Sequence, residues 1–537
     1  RNQKLPVSDK RFLQSFYTIL DAMTDPDSSR ALRSPDRIIK EVHDARRLSE
    51  TTPQRKQKFN DPFDYMSAEY IFDDNLLLRL FAETCPWLDK VSGPDPCLLT
   101  GPRGCGKSTI FRWLSLKPHL KKPFSEIELL SFSGFYISCS TDLQNKFFWV
   151  TDEDFAQTYK DGIIHYFNML LTREIIHTLE IIATHDNREQ EWGFFKHTEK
   201  DIFKFILNQL HLDPPLVPEG ITFISRVREI VEKELFESHT SVRSHRNLTR
   251  FTTESFLGDF TEFITKEIIF FRNKKIMFLV DDFSIRRVPK PVQIILNKII
   301  WERRASHSFK VSAEKQGSAF HDIVETSADL SREMKEIDCG VEFINLADHK
   351  QQDKAKEFTR QLLDKRLTTA KYVGTVEQVI GDQRYPDTEL VKCLLSSQGS
   401  PKPSCYHGLE CISKICSGDV STVLMIFEEI FKLGEVRKTT TSLVLPHKQH
   451  DAIKTVSRLM FDRIKTIHPY GKEMYAIVNS FGSLQKDLLH EGKRFKGDKP
   501  IQAPRIEIDA DTGDVYEDLT EPVRELAKAL IQRSIFI

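Results

Sequence analysis

The stretch Gly101-Pro102-Arg103-Gly104-Cys105-Gly106-Lys107-Ser108 fits G-x-x-x-x-G-K-[ST] at every fixed position. "PCLLT" before it predicts a short buried strand. "STIFRWLSL" after it places Ile110, Phe111 and Leu114 at helical spacing. Glycines let the backbone between strand and helix curl until consecutive N–H groups face inward. With the helix N-terminus, those groups form a cradle for phosphate oxygens. The pattern assigns Lys107 to the β- and γ-phosphates and the Ser108 hydroxyl to Mg²⁺. Gly101, Pro102, Arg103, Gly104, Cys105, Gly106 and Thr109 complete the expected binding loop, with ATP and Mg²⁺ as its ligands.

Such a loop needs an acid at the end of a second buried strand. "KKIMFLVDDFS" supplies five apolar residues, Ile276 to Val280, and then Asp281 and Asp282. A continuous apolar run suits a parallel strand covered on both faces, and such strands present their C-terminal ends to the ligand. Asp281 is expected in the Mg²⁺ shell, and Asp282 is expected to polarise the attacking water. "SGFYISCS" and "HSFKVSAE" are two further strand candidates. Ser312, with Glu314 as second choice, is the residue predicted to reach the γ-phosphate at the end of the latter.

These pieces resemble the P-loop ATPases that group with AAA+ and STAND proteins, particularly the origin-recognition-type branch. The resemblance is carried by "FNDPFDYMSAEYIFDD" (Phe59–Asp74), the glycine loop, the acidic strand, and "SGDVSTVLMIFEEIF" (Ser417–Phe431), which is similar to the sensor-2 helix of a lid. It implies an α/β fold: a P-loop AAA+-like core with a parallel sheet, a large helical insertion, a helical lid and a C-terminal winged-helix-like domain. The expected boundaries are 1–58 for an N-terminal helix and linker, 59–345 for the core with its insertion at 141–262, 346–445 for the lid, and 446–537 for the winged-helix-like domain. "GIIHYFNMLLTREIIHTLEIIA" in the insertion has a helix-like apolar face, and Pro214 and Pro215 break the run that follows it. An insert of this size is expected to bind a partner rather than to do chemistry.

Two departures from the branch stand out. Its lid helix usually carries an arginine shortly after Gly-Asp, whereas this chain has Gly418-Asp419-Val420-Ser421. That points to slow hydrolysis. The hairpin predicted around Asp511-Thr512-Gly513 is acidic, with Glu507, Asp509, Asp511, Asp514, Glu517 and Asp518. Phosphates repel such a wing, so any DNA contact is expected from elsewhere, with Arg286–Arg287, the helical insertion and Lys493–Lys499 as candidates.

Composition excludes little else. Across 537 residues the net charge is −1, so no global basic field points to nucleic acid. No apolar run of 18 residues and no signal-peptide pattern is found, so no membrane span is expected. Nine scattered cysteines predict free thiols and a reducing, cytoplasmic setting. Cys405, His407, Cys411 and Cys416 have zinc-ligand chemistry, but their spacing matches no common structural site, and core thiols are expected. Arg303 and Arg304 are candidates for completing a neighbour's site, though helix-end placement explains them as well. Three functions compete. One is a switch ATPase gating a protein partner or effector, a role the resemblance extends to bacterial conflict and phage defence. The second is a DNA-binding initiator or remodeller. The third is a nucleotide-dependent scaffold that barely hydrolyses. A homo-oligomer or heteromeric complex is expected in each.

Overall fold

The computed structural model describes residues 57–215, 221–302, 304–315, 334–348, 352–382, 404–416, 418–491 and 520–532, with a few short stretches between them. The acidic wing, Lys493–Lys499, Arg303 and residues 1–56 of the expected N-terminal helix and linker lie outside the described residues. The chain separates into two units, Arg1–Lys58 with Ile71–Leu76, and Phe59–Tyr70 with Leu77–Ile537. In the first, the Gln57 amide N–H donates to the Asp73 carboxylate at 3.3 Å, and the Asp73 N–H donates back to the Gln57 side chain at 3.3 Å.

The second unit holds a five-stranded sheet, all parallel, in the order β2-β3-β4-β1-β5. The strands are β1 (Cys97–Thr100), β2 (Ser133–Ser138), β3 (Ile276–Asp281), β4 (His307–Ser312) and β5 (Lys335–Asp338). Parallel strands bring all their C-terminal ends to one edge. β4 lies between β1 and β3, so the end of β4 sits between the glycine loop and the acidic pair. Leu99 pairs with Ser312, and Val280 pairs with Val311.

Both sheet faces are covered, which is why β3 is apolar at every position from Ile276 to Val280. Phe278 and Val280 join one buried cluster, whereas Met277 and Leu279 join the other, following the two-residue alternation of a strand. Among the helices are α1 (Lys107–Leu114), α2 (Lys160–Ile182), α3 (Lys196–Gln209), α4 (Phe223–Arg243), α5 (Phe256–Glu267), α6 (Lys290–Ile300), α7 (Cys339–Asp348), α8 (Gln352–Thr369), α9 (Val376–Ile380), α10 (Leu409–Ile415), α11 (Val420–Gly434), α12 (Pro446–Ile464), α13 (Gly471–Glu491) and α14 (Glu521–Gln532). Helices α2 to α5 share the first cluster with the sheet, so the helices of 141–262 form a structural layer of the core. α2 is buried without interruption from Gly162 to Thr172, more than a one-faced surface helix requires.

The second cluster joins the other sheet face and α1 to α8 through α12. Local capping fixes where its helices begin. Thr375 and Gln378 make a reciprocal capping box for α9, and the Asp419 carboxylate accepts the Ser421 and Thr422 N–H groups at the start of α11. Two arginines hold the segment that leads into the core. Arg366, buried on α8, donates to the carbonyls of Pro62 (2.8 Å), Asp64 (3.2 Å) and Tyr65 (3.3 Å). Arg112, on α1, donates to the carbonyl of Ala68 at 2.5 Å.

The expectation of uniformly free thiols is corrected at one place, where Cys393 and Cys405 form a disulfide. The other seven cysteines are buried and form no disulfide, Cys411 and Cys416 among them. Among the described residues, no helix is long and apolar enough to cross a membrane.

Candidate functional site

The glycines do what the loop requires of them. Gly101, Gly104 and Gly106 have φ of 134°, 90° and 91°, a region that side-chain-bearing residues rarely adopt. Gly106 is the N-cap of α1, so the helix begins at Lys107 itself. A Cβ on Gly106 would meet nothing within 4 Å, which leaves open space above the loop. Gly104 is different, because a Cβ there would lie 2.4 Å from Asp419 Oδ1 and 2.5 Å from Ser421 Oγ. The first turn of α11 is therefore seated directly on the loop. Pro102 and Cys105 are buried, Arg103 is exposed, and Thr109 is half-buried.

Lys107 curls back over its own loop. Its Nζ donates to the carbonyls of Gly101 (2.8 Å) and Pro102 (3.0 Å), and approaches Cys105 Sγ at 3.7 Å. Burial disfavours its ammonium, but Cys105, Cys339, Asp281 and Asp282 outweigh burial and keep it charged. The Cys105 thiol is pulled down by a hydrogen bond with Cys339 and by the lysine charge, against the effect of burial.

Asp281 is buried and surrounded by hydroxyls. Ser312 Oγ donates to its Oδ1 at 2.6 Å, Tyr136 Oη donates to its Oδ2 at 2.8 Å, and Ser108 also hydrogen-bonds to it. Burial pushes its carboxyl up, and those three hydrogen bonds oppose the shift without cancelling it. A hydroxyl and a carboxylate brought together at the mouth of the loop are hard oxygen donors of the kind Mg²⁺ takes. The loop, Lys107, Ser108 and Asp281 thus fit Mg-ATP in chemistry.

Asp282 faces elsewhere. It has φ of 57°, an unusual value for a non-glycine residue. Its Oδ1 accepts from Ser284 Oγ at 3.0 Å, and its Oδ2 accepts from Arg287 Nε at 2.7 Å. Ser312, expected to meet the γ-phosphate, instead joins the two acids: its Oγ donates to Asp281 and accepts the Asp282 N–H at 2.9 Å. The reason is its position on the central strand between β1 and β3, fully buried, where a hydroxyl must find its partners within the sheet. Glu314 is occupied by Arg286 at 3.0 Å. Arg304 pairs within the chain, with Glu302 at 2.7 Å and Glu262 at 3.5 Å.

Tyr136 and Cys339 are site neighbours that sequence reasoning did not single out, and Arg287, named there only as a candidate for DNA contact, is a third. A signal existed for Tyr136, since it is the one phenol in a stretch read as a further strand, which the structure places beside the acidic one. The pairing of Arg287 with Asp282 had none, because it is decided by the turn from Ser284 to Val288.

A glycine loop between a buried parallel strand and a helix, with Ser108 and Asp281 converging at its mouth, defines a P-loop nucleotide-binding core. Family comparison agrees, matching residues 61–393 and 380–537. The chain belongs to the ORC-CDC6-like family, AAA+ ATPases of the origin-recognition type. No curated protein and no solved structure matches it.

Proposed function

We propose that the protein is a slowly hydrolysing, Mg-ATP-dependent switch that couples nucleotide state to a protein partner or effector. The observation that carries this reading is the convergence of Lys107, Ser108 and Asp281 on a glycine loop against which the first turn of α11 is seated. In this reading Lys107 leaves its loop carbonyls and meets the β- and γ-phosphates. Ser108 and Asp281 hold the cation, which supplies charge stabilisation for phosphoryl transfer. Asp282 orients and deprotonates water, and Ser312 aligns the two acids. Residues 346–445 act as the lid and 446–537 as a winged-helix-like domain.

Slow turnover follows from two features. The lid helix offers Asp419 at Gly104, where the branch usually supplies an arginine shortly beyond. Asp282 is tied to Arg287. Phosphate entering beneath α11 would meet the Asp419 carboxylate, so nucleotide binding and lid position are opposed, which is the requirement for a two-state element.

Family membership favours a second reading, a DNA-binding initiator. The two readings separate on ATP hydrolysis measured with and without duplex DNA across a salt series. The switch reading expects no DNA stimulation. Stimulation that fades steeply with salt would replace it with the initiator.

A further inference from the structure

Arg287 makes two contacts that the proposed chemistry does not use. Its Nε donates to Asp282 Oδ2 at 2.7 Å, and its Nη1 donates to Gln144 Oε1 at 2.7 Å. Arginine and aspartate are each only about a quarter exposed, at 28% and 27%, so the pair is partly shielded from water. With Ser284 on the other oxygen, both oxygens of Asp282 are engaged by donors of its own turn. A carboxylate held this way is not presented to a water at the phosphate.

Gln144 is itself fixed to the helical layer. It opens the short helix Gln144–Phe147, just after β2. Two residues earlier, the Asp142 carboxylate pairs with Arg173 of α2 at 2.9 Å, and its carbonyl accepts from Tyr166 Oη of α2 at 2.8 Å. Three residues later, Phe147 packs edge-on against Tyr166 with ring centroids 5.1 Å apart. A contiguous path of hydrogen bonds and packing therefore runs from α2 through Gln144 and Arg287 to Asp282.

We propose that Arg287 is a positioning residue that holds Asp282 in a resting orientation, and that the α2 layer, acting through Gln144, sets how firmly it holds. The proposal rests on the ATPase reading above and names the regulation of that site. A shift of α2 removes the Gln144 anchor. The guanidinium then has one partner in place of two, and Asp282 is free to turn toward the nucleotide. The long helical segment between β2 and β3 thus acts as the sensing part of the enzyme.

The test is steady-state Mg-ATP hydrolysis by the intact chain and by R287Q, R287K and Q144A, with ATP affinity from calorimetry. R287Q is expected to raise kcat about tenfold, equivalent to about 1.4 kcal/mol, with KM unchanged. R287K, which keeps the charge but not the fork, is expected between the two rates. Q144A is expected to raise kcat less than R287Q and to add nothing to it in the double variant. The gain must vanish when D282N is added to R287Q. An unchanged or lower kcat in R287Q with ATP affinity intact overturns the proposal and leaves the ATPase reading standing. Loss of ATP binding in R287Q alone also overturns it, since the guanidinium would then touch ligand. Absence of ATP binding in the unaltered protein removes both. Should R287Q fail to melt cooperatively, Q144A decides: a higher kcat supports the proposal and an equal or lower one rejects it.

Discussion

The half of the site proposed to grip phosphate and the half proposed to activate water are built in different ways. The first is the loop from Gly101 to Ser108, one uninterrupted stretch whose shape follows from three positive φ values and a helix start. The second gathers Asp282 from the end of β3, Ser312 from the end of β4, Arg287 from a turn and Gln144 from beyond β2. A grip built by backbone takes its shape from local residues, even though the first turn of α11 is seated against it at Gly104. A reactive group assembled from four places responds to all four. Binding and turnover can therefore be separated, and the separation is open to attack from either side.

The largest expected effect is on turnover alone. Asp282→Asn should slow hydrolysis by about a hundredfold or more, the scale of a lost general base, while Mg-ATP affinity stays within twofold. Single-turnover kinetics beside calorimetry checks this, and a matching loss of affinity would erase the division between the halves. Lys107→Ala attacks the other half. Its ATP affinity should fall by at least about tenfold, roughly 1.4 kcal/mol, without a change in melting temperature. Unchanged calorimetric affinity would remove the P-loop assignment itself.

Ser312→Ala sits at the join. It leaves Asp281 Oδ1 and the Asp282 N–H without their shared hydroxyl, so stability should drop by about 1 kcal/mol in denaturant titration. Turnover should fall with it while ATP affinity holds, because the serine aligns acids and does not touch phosphate. The smallest effect concerns Asp281 without nucleotide. Burial raises its carboxyl above the ordinary 3.8, so the folded state gains from its protonated form only at low pH and loses that gain as pH rises through the raised value. At pH 7 without Mg²⁺, Asp281→Asn should therefore melt slightly higher than the unaltered protein. The difference should shrink as pH falls toward 4. A variant that melts lower at pH 7 would show that the three hydroxyls more than repay the burial.

What the sequence made legible follows the same line. The loop could be read because its glycines answer a local backbone demand. β3 could be read because a strand covered on both faces must be apolar at consecutive positions. β5, with sequence Lys335-Glu336-Ile337-Asp338, could not, because it is a short edge strand with two exposed charges and no alternation long enough to register. α2 reads as a helix, but its burial from Gly162 to Thr172 depends on α4, α6 and the sheet, which no local pattern announces. The direction of the Ser312 hydroxyl and the partner of Arg287 are tertiary facts of the same sort. So is the pairing of Cys393 with Cys405, since spacing alone does not say which thiols meet.

The two guanidinium clamps on the leading segment have a mechanical meaning. Arg366 of α8 grips the chain as far as Tyr65, and Arg112 of α1 grips it again at Ala68. Only three peptide steps of backbone run between a point fastened to α8 and a point fastened to the loop helix. Fully drawn out, they span about 10 Å. That leash sets the stroke: α8 can swing away from α1 at this point by no more than its slack, and any larger excursion must first pull out one of the clamps.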